Sequence, residues 1–269
     1  MKIIKIVIMF LLIVVSAVFG FIQYSQNRPS KKDAPVITCP QKVLELSVKD
    51  DKDVLMKSVS ASDNQDGDLT DKIRISGISK LISNNTAKVS YIVFDSDNNM
   101  ASCTRMIKYT DYQRPRFAIN QPLVFVSDDS ISLLDKISAS DVIDGDITSS
   151  IRISTLTPTD NNYMHTVTVQ VTNSMGDTAR LGVPIIIRAT DPLAPVITLK
   201  ENLVYLNSGA AFDPVSYIAS VTAPDAELSA SDVTVSGTVN TAEVGTYYVS
   251  YSCSQSGHTT LTVLTVVVQ

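Results

Sequence analysis

Tryptophan is absent from this 269-residue chain, histidine occurs only twice and cysteine three times. That leaves little material for a zinc site or for a thiol or imidazole nucleophile. His165 and His258 lie far apart in the chain, so neither has an obvious partner and both read as surface or strand-end residues. No Gly-x-Ser-x-Gly turn and no glycine-rich phosphate loop occurs. Aromatic residues are 6% of the chain, which weakens a sugar-stacking surface without excluding one. Acid is also missing from the first 32 residues, which hold Lys2, Lys5, Arg28, Lys31 and Lys32. The remaining 237 residues carry 17 basic against 27 acidic side chains, a net −10. A nucleic-acid binder normally presents a basic face, so nucleic acid is not an expected partner. With 44% hydrophobic and 18% charged residues the chain is not a disordered polyelectrolyte.

Residues 6–22 run for 17 positions without a charge, preceded by Lys2 and Lys5. An apolar helix satisfies its own backbone hydrogen bonds in hydrocarbon, so this run predicts a transmembrane signal-anchor helix with the lipid bilayer as its partner. The alternative is a cleaved signal peptide and a secreted protein. The available cleavage sites, Ser16-Ala17-Val18 and Val18-Phe19-Gly20, are poor because of their bulky residues.

The stretch 60–76 (SASDNQDGDLTDKIRIS) recurs at 138–154 (SASDVIDGDITSSIRIS) with 12 of 17 positions identical. PVIT at 35–38 returns at 195–198, and VSY at 89–91 returns at 249–251. Thr110-Asp111 and Thr190-Asp191 are each followed by a proline, Pro115 and Pro195. Repetition at this spacing divides the body into 33–111, 112–191 and 192–269, behind an N-terminal segment 1–32. Within the repeats Val89, Tyr91 and Val93, then Val167, Val169 and Val171, then Val249, Tyr251 and Cys253 alternate with period two. Such alternation buries one face of a strand, and short strands without helical stretches predict all-β sandwiches. Gly245-x-Tyr247-x-Val249 has the spacing of a tyrosine corner.

Three motifs carry a family resemblance: Asp191 through Pro195-Val196-Ile197-Thr198, the Ser-Asp-x-x-Asp-Gly-Asp-(Leu/Ile)-Thr segment, and Val244-Gly245-Thr246-Tyr247-x-Val249-x-Tyr251. They resemble the bacterial Ig-like repeat of pesticidal crystal toxins and of Gram-positive surface proteins, and are similar to hyalin-type repeats. The resemblance spans most of 33–269, although no repeat carries every motif. The second opens with Pro115-Arg116-Phe117-Ala118, and the third reads APDAELSASD in place of the acidic segment. It implies seven-stranded Ig-like domains in exported, modular, non-catalytic use, without a defined ligand.

Asp63, Asp66 and Asp68 recur as Asp141, Asp144 and Asp146. Three carboxylates on a short loop could bind Ca²⁺, and equally Asp and Gly build tight turns. The hairpin carrying Asn173 and Asp177 is expected at the same end of its sandwich, beside the linker that delivers Asp111. A calcium site there would use Asp111, Asp141, Asp144 and Asp146. Cys39 falls in the expected first strand and Cys103 near the start of the last. These strands commonly lie close in Ig-like sandwiches, so a disulfide is reasonable; two free thiols are the alternative. Cys253 aligns with Val93 and Val171 and reads as a buried core residue. Asn84-Asn85-Thr86 reads as an exposed turn. The chain as a whole reads as a single-pass cell-surface rod, some 100 Å long at about 3.3 Å per strand residue, that binds an unknown protein or glycan or acts as a spacer. The alternative is a secreted wall- or carbohydrate-binding accessory protein; catalysis is not expected.

Overall fold

The computed structural model describes residues 2–26, 34–83, 85–127, 132–158 and 163–269. The sequon position Asn84 lies outside them. The apolar N-terminal run forms one helix, Lys2–Gln26, in which Leu11, Leu12, Phe19 and Phe21 are exposed. Among the described residues no helix is long and apolar enough to cross a membrane, which corrects the expected transmembrane span and bilayer partner for residues 6–22.

The chain divides into two compact units, Met1–Thr110 and Asp111–Gln269. In the first, Val36–Thr38, Ser60–Asp63 and Gly67–Asp68 form one sheet. Leu44–Leu46, Met100–Tyr109, Thr86–Phe94 and Arg74–Ile78 form the other, in that order. Pairing is antiparallel except that Leu44–Leu46 runs parallel to Met100–Tyr109, with Leu44 opposite Ile107. The period-two pattern does what it predicts: Val89, Tyr91 and Val93 are fully buried, while Ser90 and Ile92 between them are half-buried and Lys88 just before them is exposed.

The second unit contains the same strand order twice. Arg116–Ile119, Ile137–Asp141 and Gly145–Asp146 face Val124–Val126, Thr178–Arg188, Met164–Thr172 and Arg152–Pro158. Phe117, Phe125, Ile137, Val169 and Val183, drawn from both sheets, share one core. In the third repeat Val196–Leu199 and Ile218–Thr222 pack over Leu203–Leu206, His258–Val268, Gly245–Gln255 and Thr234–Ser236. This repeat has six strands rather than the expected seven. The two-residue Gly-Asp strand is gone with the acidic segment, and an isolated Ala223–Ala226 bridge stands in its place.

The second and third repeats are packed side by side rather than stacked end to end, which corrects the rod for this unit. Leu203 and Val267 of the third repeat pack on the core of the second. Contacts between Thr178–Arg188 and the hairpin Gly245–Gln255/His258–Val268 follow the strand from its middle, where Gly182 meets Tyr248, to its end, where Arg188 meets Thr259. Apolar strand edges on both repeats are what the packing hides from water.

Candidate functional site

The acidic segments are tight turns. Gly67 and Gly145 sit at φ of +74° and +72°, a left-handed conformation that an L side chain rarely adopts. Asp63 Oδ1 accepts the amides of Gln65 (2.7 Å) and Asp66 (2.9 Å), and Asp141 Oδ1 accepts those of Ile143 (2.9 Å) and Asp144 (3.1 Å). Asp68 and Asp146 each accept the amide of the threonine two residues on, Thr70 and Thr148, at 2.9 Å. Hydrogen bonds favour the charged form: the Asp66 and Gln65 amides hold the Asp63 carboxyl below its usual range, and the Thr70 and Thr148 side chains, then their amides, do so for Asp68 and Asp146. Asp66 takes Ser96 N (2.6 Å) and Oγ (2.8 Å), and Asp144 takes Ser174 N and Oγ, both at 2.6 Å. Among the described residues no group of three acids, histidines or cysteines is placed to hold a metal. The carboxylates of Asp63, Asp66, Asp68, Asp141, Asp144 and Asp146 all accept loop amides or hydroxyls, the bonds that tight turns make.

Asn173 does come to the acidic turn. Its Nδ2 donates to Asp141 Oδ2 (3.1 Å) and to Tyr112 Oη (2.8 Å), and Tyr112 Oη donates to Asp177 Oδ2 (2.9 Å). The cation here is a side chain: Arg114 reaches Asp177 Oδ1 at 3.0 Å and Oδ2 at 3.2 Å. Burial opposes ionisation of Asp177, but the bonds from Arg114 and Tyr112 outweigh it and its carboxyl lies below the usual range. Burial, reinforced by Asp177, pushes the Tyr112 phenol up. Asp111, one residue before Tyr112, is partnered too.

Cys39 and Cys103 form a disulfide, with Cα atoms 6.1 Å apart, that ties the two sheets of the first repeat. Strand register puts Ile119 and Leu181 at the same positions in the second repeat, where both belong to the core. Cys253 is free and 2% exposed, and burial pushes its thiol up. Tyr247 Oη donates to Glu243 O at 3.0 Å, the bond a tyrosine corner makes. Tyr91 and Tyr251 occupy one repeat position and donate alike, to Leu55 O (2.6 Å) and Pro214 O (2.8 Å).

The seam between the second and third repeats carries the polar contacts that no local pattern announces. Tyr205 Oη accepts the Phe117 amide at 3.0 Å while its ring lies under the Arg116 guanidinium at 5.0 Å. Arg188 donates to Thr259 O (3.2 Å) and Thr260 Oγ1 (3.1 Å), and His258 Nδ1 meets Asp191 at 2.9 Å. His258 begins its strand as expected; His165 lies near the start of its own and has a buried, unpartnered Nδ1.

Several grooves open along this seam, one of them, of about 460 Å³, between Asn120 and Lys200. Another, of about 400 Å³, is lined by Tyr163, Arg188, Asp191 and Thr259, and Tyr163 is 62% exposed. A third, of about 310 Å³, is lined by Gln113, Arg114, Arg116, Thr178, Arg180 and Tyr205 among others. Along the chain this last groove is marked only by the departure of the second repeat from the shared Pro-Val-Ile-Thr opening.

No curated protein matches the chain. Among solved structures it is similar to the M60 catalytic domain with the CBM51-1 and CBM51-2 domains of Clostridium perfringens ZmpB, at 14% identity and TM-score 0.25, covering 88% of this chain and 31% of that one. It is similar to CBM51-2 in complex with GlcNAc and INT domains of the same protein, at 17% identity and TM-score 0.24, over 57% of this chain and 41% of that one. The protocadherin GammaB4 extracellular domain follows at 14% identity and TM-score 0.22, over 89% and 50%. The chain thus spans half or less of the length of these three structures, and the likeness is too slight to speak for function. Residues 197–268, most of the third repeat, match the family model of the bacterial surface protein Ig-like domain.

Proposed function

We propose that the chain is an exported, non-catalytic binding module of a bacterial surface, built of three tandem Ig-like domains, 33–111, 112–191 and 192–269, with a glycan or protein as ligand. The observation that carries this reading is the surface-domain match of residues 197–268, set beside the recurrence of the same sheet order in the two preceding repeats. The Cys39–Cys103 disulfide suits an oxidising, extracytoplasmic compartment. The helix Lys2–Gln26, with its basic start, apolar centre and exposed apolar side chains, acts as the export segment. The test is a binding screen of the full chain against cell-wall glycans and host surface proteins, paired with surface proteolysis of the producing cells. Retention by one ligand class and cleavage of intact cells' protein support the module; protein shielded inside intact cells ends it.

A second reading, a secreted carbohydrate-binding accessory protein, has one observation in its favour. Tyr163 is 62% exposed beside a groove that also presents Arg188, Asp191 and Thr259, the aromatic-plus-polar composition that sugars favour. Recovery from the medium rather than from cells distinguishes it.

A further inference from the structure

The three repeats can be compared position by position, because strand register fixes their alignment. Phe117 pairs with Ala139 as Ile37 pairs with Ala61 and Ile197 with Val221. Arg116 therefore occupies the place of Val36 and Val196, and Arg114 that of Ala34 and Ala194. On the last hairpin Gln170 pairs with Arg180, Ile92 with Ser102 and Ser252 with Leu261. Arg180 thus replaces a serine in the first repeat and a leucine in the third. These three positions, each uncharged in both other repeats, turn to arginine together in the second and line a single groove of about 310 Å³.

The arginines are not equally occupied. Arg114 is committed to Asp177. Among the described residues Arg116 and Arg180 have no carboxylate within ion-pair distance: Arg116 lies over the Tyr205 ring, and Arg180 donates to Gln170 Oε1 at 2.8 Å. No Asp or Glu lines the groove, although the body of the chain is acidic. Gln113 and Thr178 add neutral hydrogen-bonding groups on its walls. A fold that needed only a seam would fill these positions with the alanine, valine, serine or leucine used elsewhere. Two unpaired guanidiniums, held by an aromatic ring and an amide, present planar donor forks suited to carboxylate or sulfate oxygens.

We propose that this groove binds an anionic saccharide, one bearing carboxylate or sulfate groups. The inference rests on the binding-module reading and names the ligand class for one of its surfaces. The chain's own net negative charge works against polyanions at long range, so binding must come from short-range recognition in the groove.

The experiment measures retention of the full chain on immobilised hyaluronan, heparin and neutral dextran at about 0.15 M salt. The wild type is expected on hyaluronan, heparin or both, distinguishing carboxylate from sulfate as the favoured group, and not on dextran. Arg180→Glu removes one fork from an exposed strand position and should weaken retention about tenfold or more, the scale of a charge-assisted hydrogen bond. Arg116→Gln should act in the same direction, but it also touches the seam; a thermal midpoint for each variant separates lost binding from lost folding. No retention of the wild type on either polyanion, or equal retention of a folded Arg180→Glu, overturns the groove. Retention of a neutral glycan or protein ligand unchanged by Arg180→Glu also overturns it, while leaving the binding-module reading intact.

Discussion

Tyr205, from the third repeat, accepts the backbone amide of Phe117 in the second at 3.0 Å, so one repeat completes the hydrogen bonding of a strand in its neighbour. That strand, Arg116–Ile119, would otherwise present this amide at the seam without a partner. Asn202 repeats the arrangement two residues along the strand, donating to Ile119 O at 3.4 Å. The two repeats are therefore joined through main-chain groups as well as apolar contact.

Tyr205→Phe keeps the ring under Arg116 and removes the acceptor for Phe117. The cost should be about 0.5–1.5 kcal/mol, or a midpoint lowered by about 2–4 °C per kcal/mol in a domain of this size. Calorimetry of residues 111–269 should show one transition that moves as a whole. Two separated transitions in the wild type would mean that the seam does not couple the repeats.

Reduction of Cys39–Cys103, or Cys103→Ser, should destabilise the first unit by up to about 4 kcal/mol, as expected for cross-linking residues 64 apart. Residues 111–269 should not respond. Peptide mapping without reductant should join Cys39 to Cys103 and find Cys253 reactive only after denaturation, since it is buried. Three reactive thiols in oxidised, exported protein would contradict the bridge.

Calcium should leave residues 111–269 unchanged if the amides and hydroxyls that Asp141, Asp144 and Asp146 accept are their working partners. Titration calorimetry at millimolar calcium should register no site-specific heat. Asp144→Asn, by contrast, should lower stability by about 1 kcal/mol through weakened bonds to Ser174. Heat that disappears in Asp144→Asn would establish the metal reading.

The pH dependence has two limbs. Asp177 ionises more readily folded than unfolded, so its contribution is present above the unfolded carboxyl value of about 3.9 and is lost as pH falls through the lower, folded one. Thermal midpoints of residues 111–269 should hold steady from neutrality to about pH 5 and then decline. At the alkaline end burial pushes the Tyr251 phenol up to about 12, so stability should fall once pH passes the unfolded phenol value of about 10. Asp177→Asn should shrink the acid limb, to which Asp146 also contributes, and Tyr251→Phe the alkaline one, to which Tyr112 also contributes. A limb unaltered by its variant would assign that titration elsewhere.

Leu12→Arg places a charge in the apolar centre of the N-terminal helix and should reduce export, since such a residue costs about 2.5–3.5 kcal/mol on insertion scales. Quantifying surface-exposed against intracellular protein checks this. A mature N-terminus at Phe21, read by mass spectrometry, would identify the helix as a removed leader.

Periodicity alone determined the strands and their buried faces: Val89, Tyr91 and Val93 had to face a core because alternation leaves an apolar strand no other way to hide them. Repetition likewise marked corresponding positions, so the turn glycines Gly67 and Gly145 and the tyrosines Tyr91 and Tyr251 could be paired before any coordinates. These are short-range consequences of local composition. Whether a carboxylate meets calcium or an amide was beyond that reach, because Asp144 finds Ser174 across 30 residues and Asp177 finds Arg114 across 63. Only the tertiary structure decided that the second and third repeats lie side by side, since the surfaces that meet, such as Gly182 and Tyr248, belong to different hairpins with no sequence pattern in common. Arg180 stands more than 60 residues from Arg114 and Arg116 in the chain; strand pairing and the seam bring them to one groove.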